Sequence, residues 1–207
     1  MRKSIIIPLY YFAPISYYAY WLQANDICLE KEDYYEKQTY RSRCYIYAAK
    51  GRLMLNIPIE HKGGRKYKDI RISYESPWRK QHLKSLKTAY QSSPYYEFYE
   101  DDFLSLFEYK ETFLWDFNWR STQVICNLLE IDPLSTHTET YEKKHAEAID
   151  LRNRFNVKNP SSCFPKYYQV FSEKHGFISD LSILDLLFHQ GKYSIQYLKN
   201  SFLTIQA

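Results

Sequence analysis

Three polar side chains share one face of an otherwise apolar helix predicted over residues 180–190. Ser182, Asp185 and His189 are spaced by three and four residues, and almost every other side chain around them is Leu, Ile or Phe. A helix this apolar is expected to be buried, and a buried carboxylate needs ionic or hydrogen-bonding partners. Asp185 is therefore a candidate catalytic residue, with arginines or tyrosine hydroxyls as its expected partners. Whether such a network lines a substrate pocket or only fixes the core stays open.

The same three residue types form hydrolytic triads in other proteins. A triad needs the histidine between the serine and the carboxylate, with the serine exposed at a sharp turn. One straight helix places Asp185 in the middle instead. The sequence therefore excludes this hydrolytic mechanism for the stripe.

His82 is the second candidate catalytic residue, because an imidazole can give and take protons near neutral pH. It follows Trp78 by one helical turn, so both side chains are expected on one face at the border of the apolar stripe. Trp78 is either a platform for a substrate or ordinary packing. A structural histidine, hydrogen-bonded at the edge of the core, is the alternative for His82.

Two arginines stand at alternate positions before a predicted hairpin and are expected to share a face. Arg41 and Arg43 together would suit a phosphate or carboxylate group of a substrate. They are equally suitable partners for Asp26, Glu30 or Asp185. We expect structural pairing for one arginine and anion binding for the other.

Carboxylates cluster after the first predicted helix, where strand ends would bring them into a cleft. They are candidate substrate ligands or bases, and the set lacks the histidines typical of a metal centre, so no metal is assigned. Asp26 and Glu30 are the two that we retain as candidate substrate-binding residues. No cofactor is indicated.

The elements that position these residues begin with a βαβ-like unit. Residues 4–9 read as a short buried strand, residues 15–23 as a helix after Pro14, and residues 26–30 as a second strand. Tyr10 and Tyr17 lie in or beside the connecting turn and would flank a sugar or a base. A hairpin over residues 43–59 and a third strand over residues 69–74 complete the predicted sheet-rich part, residues 1–75.

The remainder, residues 76–207, is predicted to be mostly helical. Ser76 and Pro77 open a helix that runs to about residue 91, and further helices cover residues 95–109 and 115–130. Residues 135–160 are polar and read as an exposed helix or connector. The last helix is expected to start with Ser179 or Asp180 as its cap and to end at Gly191. The fold class is therefore α/β or α+β, in one domain of 207 residues.

Composition narrows the class of protein. The chain has a net charge of +4, with nine Lys or Arg and two acids over residues 61–87, and six acids and one Lys over residues 95–111. These segments either neutralise each other or leave an anion site.

The four cysteines form no C-x-x-C pair, which argues against zinc and redox motifs. No apolar run is long enough to span a membrane, and no recognised nucleic-acid-binding module is present.

Several segments, in the same order, resemble the WbqC-like protein family. They are Lys-Gln-x-Tyr-Arg-x-Arg-Cys at 37–44, Trp-Arg-Lys-Gln-His at 78–82, Tyr90 and Pro94, Tyr-Gln-Val-Phe at 168–171, Gly-Phe at 176–177, and the run at 181–188. The resemblance implies a cytoplasmic bacterial protein connected with surface-polysaccharide (O-antigen) synthesis, and a transferase acting on an activated sugar or related small acceptor. The chain departs from the family pattern where Pro-Leu-Tyr at 8–10 replaces Gln-Pro-Tyr and Ser42 replaces an asparagine.

Two main hypotheses follow from the sequence. In the first, the chain is a group transferase in which His82 moves a proton and the arginines hold a phosphate- or carboxylate-bearing small molecule. In the second, it is a non-catalytic interaction or scaffold protein whose 22 tyrosines form a binding surface. Tyrosines that converge on a cleft would favour the enzyme, and tyrosines spread over one flat face would favour the scaffold. Nucleotidyl transfer is a third possibility, although its His-x-x-His element is absent. The oligomeric state is not indicated.

Overall fold

A parallel sheet is built around the βαβ unit that the sequence predicts. The computed structural model describes residues 4–60, 64–145, 148–160 and 164–201. Strand β1 (Ile5–Pro8), helix α1 (Ile15–Gln23) and strand β2 (Ile27–Glu30) come first, and β1 pairs with β2 in parallel, Ile5 opposite Ile27. The three isoleucines of β1 are buried, as expected for a strand covered on both faces.

Two further strands extend this sheet, and both come from the segment predicted as an exposed helix or connector. Strands β5 (Thr136–His137) and β6 (Ile149–Asp150) give the order β5-β2-β1-β6, with all neighbours parallel. The prediction of a helix or connector over residues 135–160 was wrong at these two places. Each strand is only two residues long, which is too short to produce a recognisable alternation.

The hairpin is confirmed as strands β3 (Arg43–Ala48) and β4 (Gly51–Asn56), paired antiparallel. The third strand predicted over residues 69–74 is absent. A 3₁₀ turn (Tyr67–Asp69) occupies its start, and single bridges join Ile72 to Ile59 and Arg71 to Phe113. The alternation correctly predicted the buried face of Ile70 and Ile72. Each neighbouring segment contributes only one bridge, so no ladder forms.

Three helices follow, with bounds within two residues of those predicted. They are α2 (Trp78–Tyr90), α3 (Tyr96–Glu108) and α4 (Leu114–Leu128). The basic α2 packs against the acidic α3, and Lys87 Nζ lies 3.0 Å from Glu100 Oε1. Part of the charge asymmetry seen in the sequence is therefore neutralised between neighbouring helices.

The carboxyl-terminal part contains α5 (Ser172–His175), α6 (Ile183–Gln190) and α7 (Ser194–Asn200). Helix α6 is the predicted apolar helix, but its N-cap is Ser182, not Ser179 or Asp180. Ser182 Oγ accepts a hydrogen bond from Leu184 N and donates one to Phe12 O. The helix ends at Gly191, which has a φ of 52° and lies against the ring of Tyr95, where a Cβ would not fit.

One hydrophobic core contains residues of the sheet-rich and helix-rich parts alike, including Ile7, Tyr17, Leu86, Phe117 and Leu187. The described helices include none that combines the length and the apolar character needed to cross a membrane.

Candidate functional site

Asp185 lies in the middle of a buried hydrogen-bond network. Its side chain is fully buried and accepts from Tyr90 Oη at 2.8 Å, from Tyr167 Oη at 2.5 Å and from Gln169 Nε2 at 2.8 Å. Burial, and after it the charge of Asp185, raises the pKa of Tyr90 and Tyr167 well above the ordinary value, so both hydroxyls keep their protons and donate. The sequence left arginines or tyrosine hydroxyls open as partners of Asp185, and the structure has the tyrosine hydroxyls.

His82 lies in an aromatic part of the core, with only 5% of its surface exposed. Its Nδ1 is 2.8 Å from Tyr11 Oη, and the ring contacts Trp78 edge to face at 5.2 Å between centroids. Burial lowers the pKa of His82 to about 4, against a smaller raising effect of a backbone hydrogen bond with Asn56. The imidazole is therefore neutral at neutral pH, and Trp78 is packed beside it with 2% exposure.

The two arginines have different surroundings and do not form one receptor. The Arg41 guanidinium is buried and forms ion pairs of 2.9 Å with both Asp33 and Glu36. Arg43 is half-buried at the start of β3, where its Nε donates to Asn56 Oδ1 at 3.3 Å. One of the two arginines, Arg41, is therefore paired structurally, as expected. Its partners are not Asp26, Glu30 or Asp185, which were the carboxylates considered from the sequence.

The carboxylates Asp26 and Glu30 lie at opposite ends of β2 and do not share a cleft. Asp26 is exposed at the amino end, where Ser4 Oγ donates to it at 3.1 Å. Glu30 is fully buried at the carboxyl end, 3.0 Å from Arg152 Nη1 and 2.8 Å from Thr138 Oγ1. Within the described ranges, no group of three or more His, Cys, Asp or Glu side chains is arranged to hold a metal ion.

Tyr10 and Tyr17 converge, together with a third tyrosine, on the ring of Phe155. Their ring centroids lie 5.8 and 5.4 Å from that of Phe155, and Tyr20 lies at 5.7 Å. All three tyrosines are buried, at 2% exposure or less. Tyr10 and Tyr17 therefore form a layer directly behind the wall of a cavity to which Phe155 and Tyr20 contribute.

This cavity, called the edge cavity below, lies beyond the carboxyl ends of the neighbouring strands β1 and β6. It has a volume of about 100 Å³. Its flat faces are side-chain rings from three segments. Pro14 and Tyr20 come from α1 and the residue before it, Tyr40 from the turn before β3, and Phe155 and Pro160 from the segment after β6. Its polar groups come from Ser16, Arg154, Asn156, Asn159 and Asp180. Aromatic faces beside a few convergent polar groups are typical of a small-molecule site.

The two charged groups of the edge cavity differ in exposure. Asp180 is 4% exposed, and its two oxygens accept from Ser16 N at 2.7 Å and from Ser16 Oγ at 2.9 Å. Arg154 is exposed, and its Nε donates to Tyr20 Oη at 3.0 Å. A carboxylate thus lies at the inner wall and a guanidinium in contact with solvent.

None of the nine site residues proposed from the sequence lines the edge cavity. Pro14 and Ser16, which line the cavity, lie between Tyr10 and Tyr17 in the chain. Asp180 appeared in the sequence only as an alternative cap for the last helix, and Arg154 only as one charge in a polar connector. Their contacts with Ser16 and Tyr20 span well over a hundred residues, so no local pattern carried the signal.

More of the tyrosines are buried than exposed. Of the 22 tyrosines, ten are buried and five are exposed. Four of the buried tyrosines lie at the edge cavity or behind its wall, namely Tyr10, Tyr17, Tyr20 and Tyr40.

Comparison with known proteins identifies the family and nothing narrower. No curated protein and no solved structure gives a significant match to the chain. A family model does match: it covers residues 9–163 of 207, which include α1, β2, the hairpin, α2 to α4, β5, β6 and nine of the ten residues lining the edge cavity. The chain belongs to the WbqC-like protein family.

Proposed function

We propose that this chain is a group transferase that acts on an activated sugar or a related small acceptor in surface-polysaccharide synthesis. The reacting part of the substrate binds in the edge cavity. The observation that carries the proposal is the position of this cavity, at the carboxyl ends of β1 and β6. The chain leaves β1 toward β2, on the side away from β6. In open α/β sheets, ligands bind outside the carboxyl ends of the strands.

The lining suits a sugar. Rings such as Tyr40 and Phe155 offer flat apolar faces to the C–H surface of a pyranose. Amide groups, as in Asn156 and Asn159, can both donate to and accept from hydroxyls. A volume of about 100 Å³ takes one small group, so the remainder of an activated donor would lie outside.

Arg154 is the residue we propose to bind the phosphate or carboxylate of the substrate. One edge of its guanidinium is fixed by the bond to Tyr20 Oη, and the group lies at the exposed side of the cavity. Guanidinium groups bind phosphate and carboxylate through two parallel hydrogen bonds. This role replaces the joint role first considered for Arg41 and Arg43.

His82 and Asp185 are proposed as positioning residues, because neither lines the edge cavity. His82 fixes the hydroxyl of Tyr11, next to Tyr10 behind the cavity wall. Asp185 joins the hairpin to α6, since Tyr90 Oη donates to Asp185 and accepts from Tyr47 N. In this proposal, His82 and Asp185 affect the edge cavity indirectly, by fixing the position of the backbone segments that they bond to.

A ligand screen by thermal shift tests the proposal. Sugar phosphates, nucleotide sugars and inorganic phosphate are each added to the wild type, to Arg154→Met and to Arg71→Met. Arg71 is the matched control, an exposed arginine over the ring of Phe113 that does not line the edge cavity. A ligand at a hundred times its Kd should raise Tm by about 5 °C or more.

The expected result is a shift with a sugar phosphate or nucleotide sugar that is lost in Arg154→Met and kept in Arg71→Met. Mass spectrometry of mixtures containing the bound ligand and small acceptors then detects transfer. The proposal fails if no sugar derivative shifts Tm, or if Arg154→Met responds like the wild type. Binding without transfer to any acceptor would favour the non-catalytic hypothesis.

A further inference from the structure

Two exposed arginines lie beside the buried tyrosines of the edge cavity. Tyr20 and Tyr40, which line the cavity, are 2% and 3% exposed. Arg154 Nε donates to Tyr20 Oη at 3.0 Å. The guanidinium of Arg52 lies 3.8 Å from the centre of the Tyr45 ring, and that ring packs edge to face on Tyr40 at 6.1 Å between centroids. The cavity therefore has a second guanidinium group beside it, one that the proposed function does not use.

The segment after β6 brings the two guanidinium groups to the same side of the molecule. Arg154 belongs to this segment, and both Nη groups of Arg52 donate to its Val157 O, at 3.4 and 3.5 Å. Three residues of chain span at most about 11 Å, so the two arginines are held close together. Hydrogen bonds of this length are weak, so they position Arg52 and leave its donors able to bind a ligand.

This exposed side of the cavity is electropositive. From residue 151 to residue 172 the chain contains no Asp or Glu, and Lys158 adds a third exposed cation. None of Arg52, Arg154 and Lys158 forms an ion pair with a carboxylate in the part of the chain that the structure describes. Among the described lining residues, Asp180 is the one carboxylate, and it is buried. Three cations against one carboxylate favour an anionic ligand.

Two neighbouring guanidinium groups suit a ligand with two phosphates. A guanidinium binds a phosphate through two parallel hydrogen bonds, so a single phosphate group occupies one arginine. A diphosphate carries anionic oxygens on two adjacent phosphorus atoms and can bind both arginines at once. The cavity volume of about 100 Å³ takes one small group, such as the sugar, which leaves the diphosphate at the exposed side where Arg154 and Arg52 lie.

We propose that the edge cavity binds a sugar carried on a diphosphate, with one phosphate bound by Arg154 and the other by Arg52. This inference rests on the proposed function and narrows its activated sugar to a glycosyl diphosphate. The diphosphate is the shared chemistry of sugars carried on a nucleoside and sugars carried on a lipid.

Titration calorimetry with pyrophosphate and with inorganic phosphate tests the paired role of the arginines. The wild type should bind pyrophosphate at least about tenfold more tightly than phosphate. Arg52→Met and Arg154→Met, both exposed substitutions, should each weaken pyrophosphate binding about tenfold and bring the two anions to within about threefold.

Arg71→Met is the matched control. Arg71 is also an exposed arginine over an aromatic ring, that of Phe113, and it does not line the edge cavity. This variant loses the same charge and should bind pyrophosphate like the wild type. Equal weakening in all three variants would mean that the net charge of the protein, and not a pair of arginines, attracts the anion, and would overturn the inference.

Two further sets of ligands identify the carrier of the diphosphate. Nucleoside diphosphate sugars with each of the common bases are compared with geranyl diphosphate, a lipid diphosphate. The set whose member binds more tightly than pyrophosphate, and loses affinity in Arg52→Met, contains the carrier. If no member of either set binds more tightly than pyrophosphate, the arginines hold an adventitious anion and the inference is wrong.

The outcomes separate this inference from the proposed function. If Arg154→Met loses sugar phosphate binding while Arg52→Met binds every ligand like the wild type, the site takes a single phosphate. The inference is then overturned and the proposed function stands. If no phosphate compound binds, or if Arg154→Met responds like the wild type, both fail.

Discussion

His82 shows how burial determines the protonation of a single residue. The unfolded imidazole has a pKa of about 6.5, and burial lowers that of the folded protein to about 4. The folded state therefore disfavours the proton that the unfolded state binds. Stability from this group is fully present above pH 6.5 and is lost as the pH falls through the folded pKa.

We predict that acid weakens the wild type more than a variant without this imidazole. Between pH 7 and pH 4 the contribution of His82 to the free energy of unfolding should decrease by about 3 kcal/mol. The free-energy difference between the wild type and His82→Gln should shrink by that amount. Urea unfolding at pH 7, 6, 5 and 4 measures it.

The control is Gln123→Ala, since Gln123 is exposed and neither glutamine nor alanine titrates. The difference in free energy of unfolding between this variant and the wild type should not change over the same pH range. A wild-type advantage over His82→Gln that stays constant from pH 7 to pH 4 would mean that the histidine is not protected from protonation in the folded state.

At the scale of single residues, the sequence predicted which side chains are buried better than it predicted their hydrogen-bond and ion-pair partners. The apolar surroundings of Asp185 correctly predicted a buried carboxylate, because one helix contains all that is needed to see it. Its partners Tyr167 and Gln169 lie on an irregular segment with no helical or strand period. Arg41 was assigned the wrong partners for the same reason: Asp33 and Glu36 lie in a loop whose path the sequence does not specify.

At the scale of elements, two serines that look alike in sequence have different roles. Ser182 is the N-cap of α6, and its hydroxyl joins Leu184 N to Phe12 O. Ser76 precedes α2, but the N-cap there is Pro77 and no side chain caps the helix. Both were expected to lie near a helix start, and only the structure separates a buried cap from an exposed serine.

We predict that Ser182→Ala lowers the free energy of unfolding by about 1–2 kcal/mol, since it removes a cap and leaves Phe12 O without its hydroxyl donor. Ser76→Ala, the paired control, should change it by less than about 0.5 kcal/mol. Urea unfolding at neutral pH compares the two. Equal effects would show that the Ser182 hydroxyl does not stabilise α6.

Long periodic elements were predictable and short ones were not. Helices α2, α3 and α4 each contain three turns or more of amphipathic pattern, which fixed their positions to within two residues. Strands β5 and β6 have two residues each and exist only because β2 and β1 present open edges. Without these strands, no sequence pattern indicated that residues 154–160 lie beside α1.

At the scale of the whole molecule, the edge cavity is assembled from segments that are far apart in the chain. The start of α1, Tyr40, residues 154–160 and Asp180 meet only because β6 pairs with β1 and because Asp180 caps α1. None of the residues that line the cavity was therefore proposed as a site residue from the sequence.

The ion pair between Glu30 and Arg152 ties these distant segments together, because it joins the ends of β2 and β6 across 122 residues. Both side chains are at least 94% buried, so Arg152→Met should cost about 3 kcal/mol or more by leaving a buried carboxylate without its cation. We predict that Glu30→Gln and Arg152→Met together destabilise the protein by about 2 kcal/mol less than the sum of the single changes, as measured by a urea double-mutant cycle. The exposed pair Lys87 and Glu100 is the control, where the coupling should stay below about 1 kcal/mol. Equally weak coupling in both pairs would show that the buried pair does not hold β6 against the sheet.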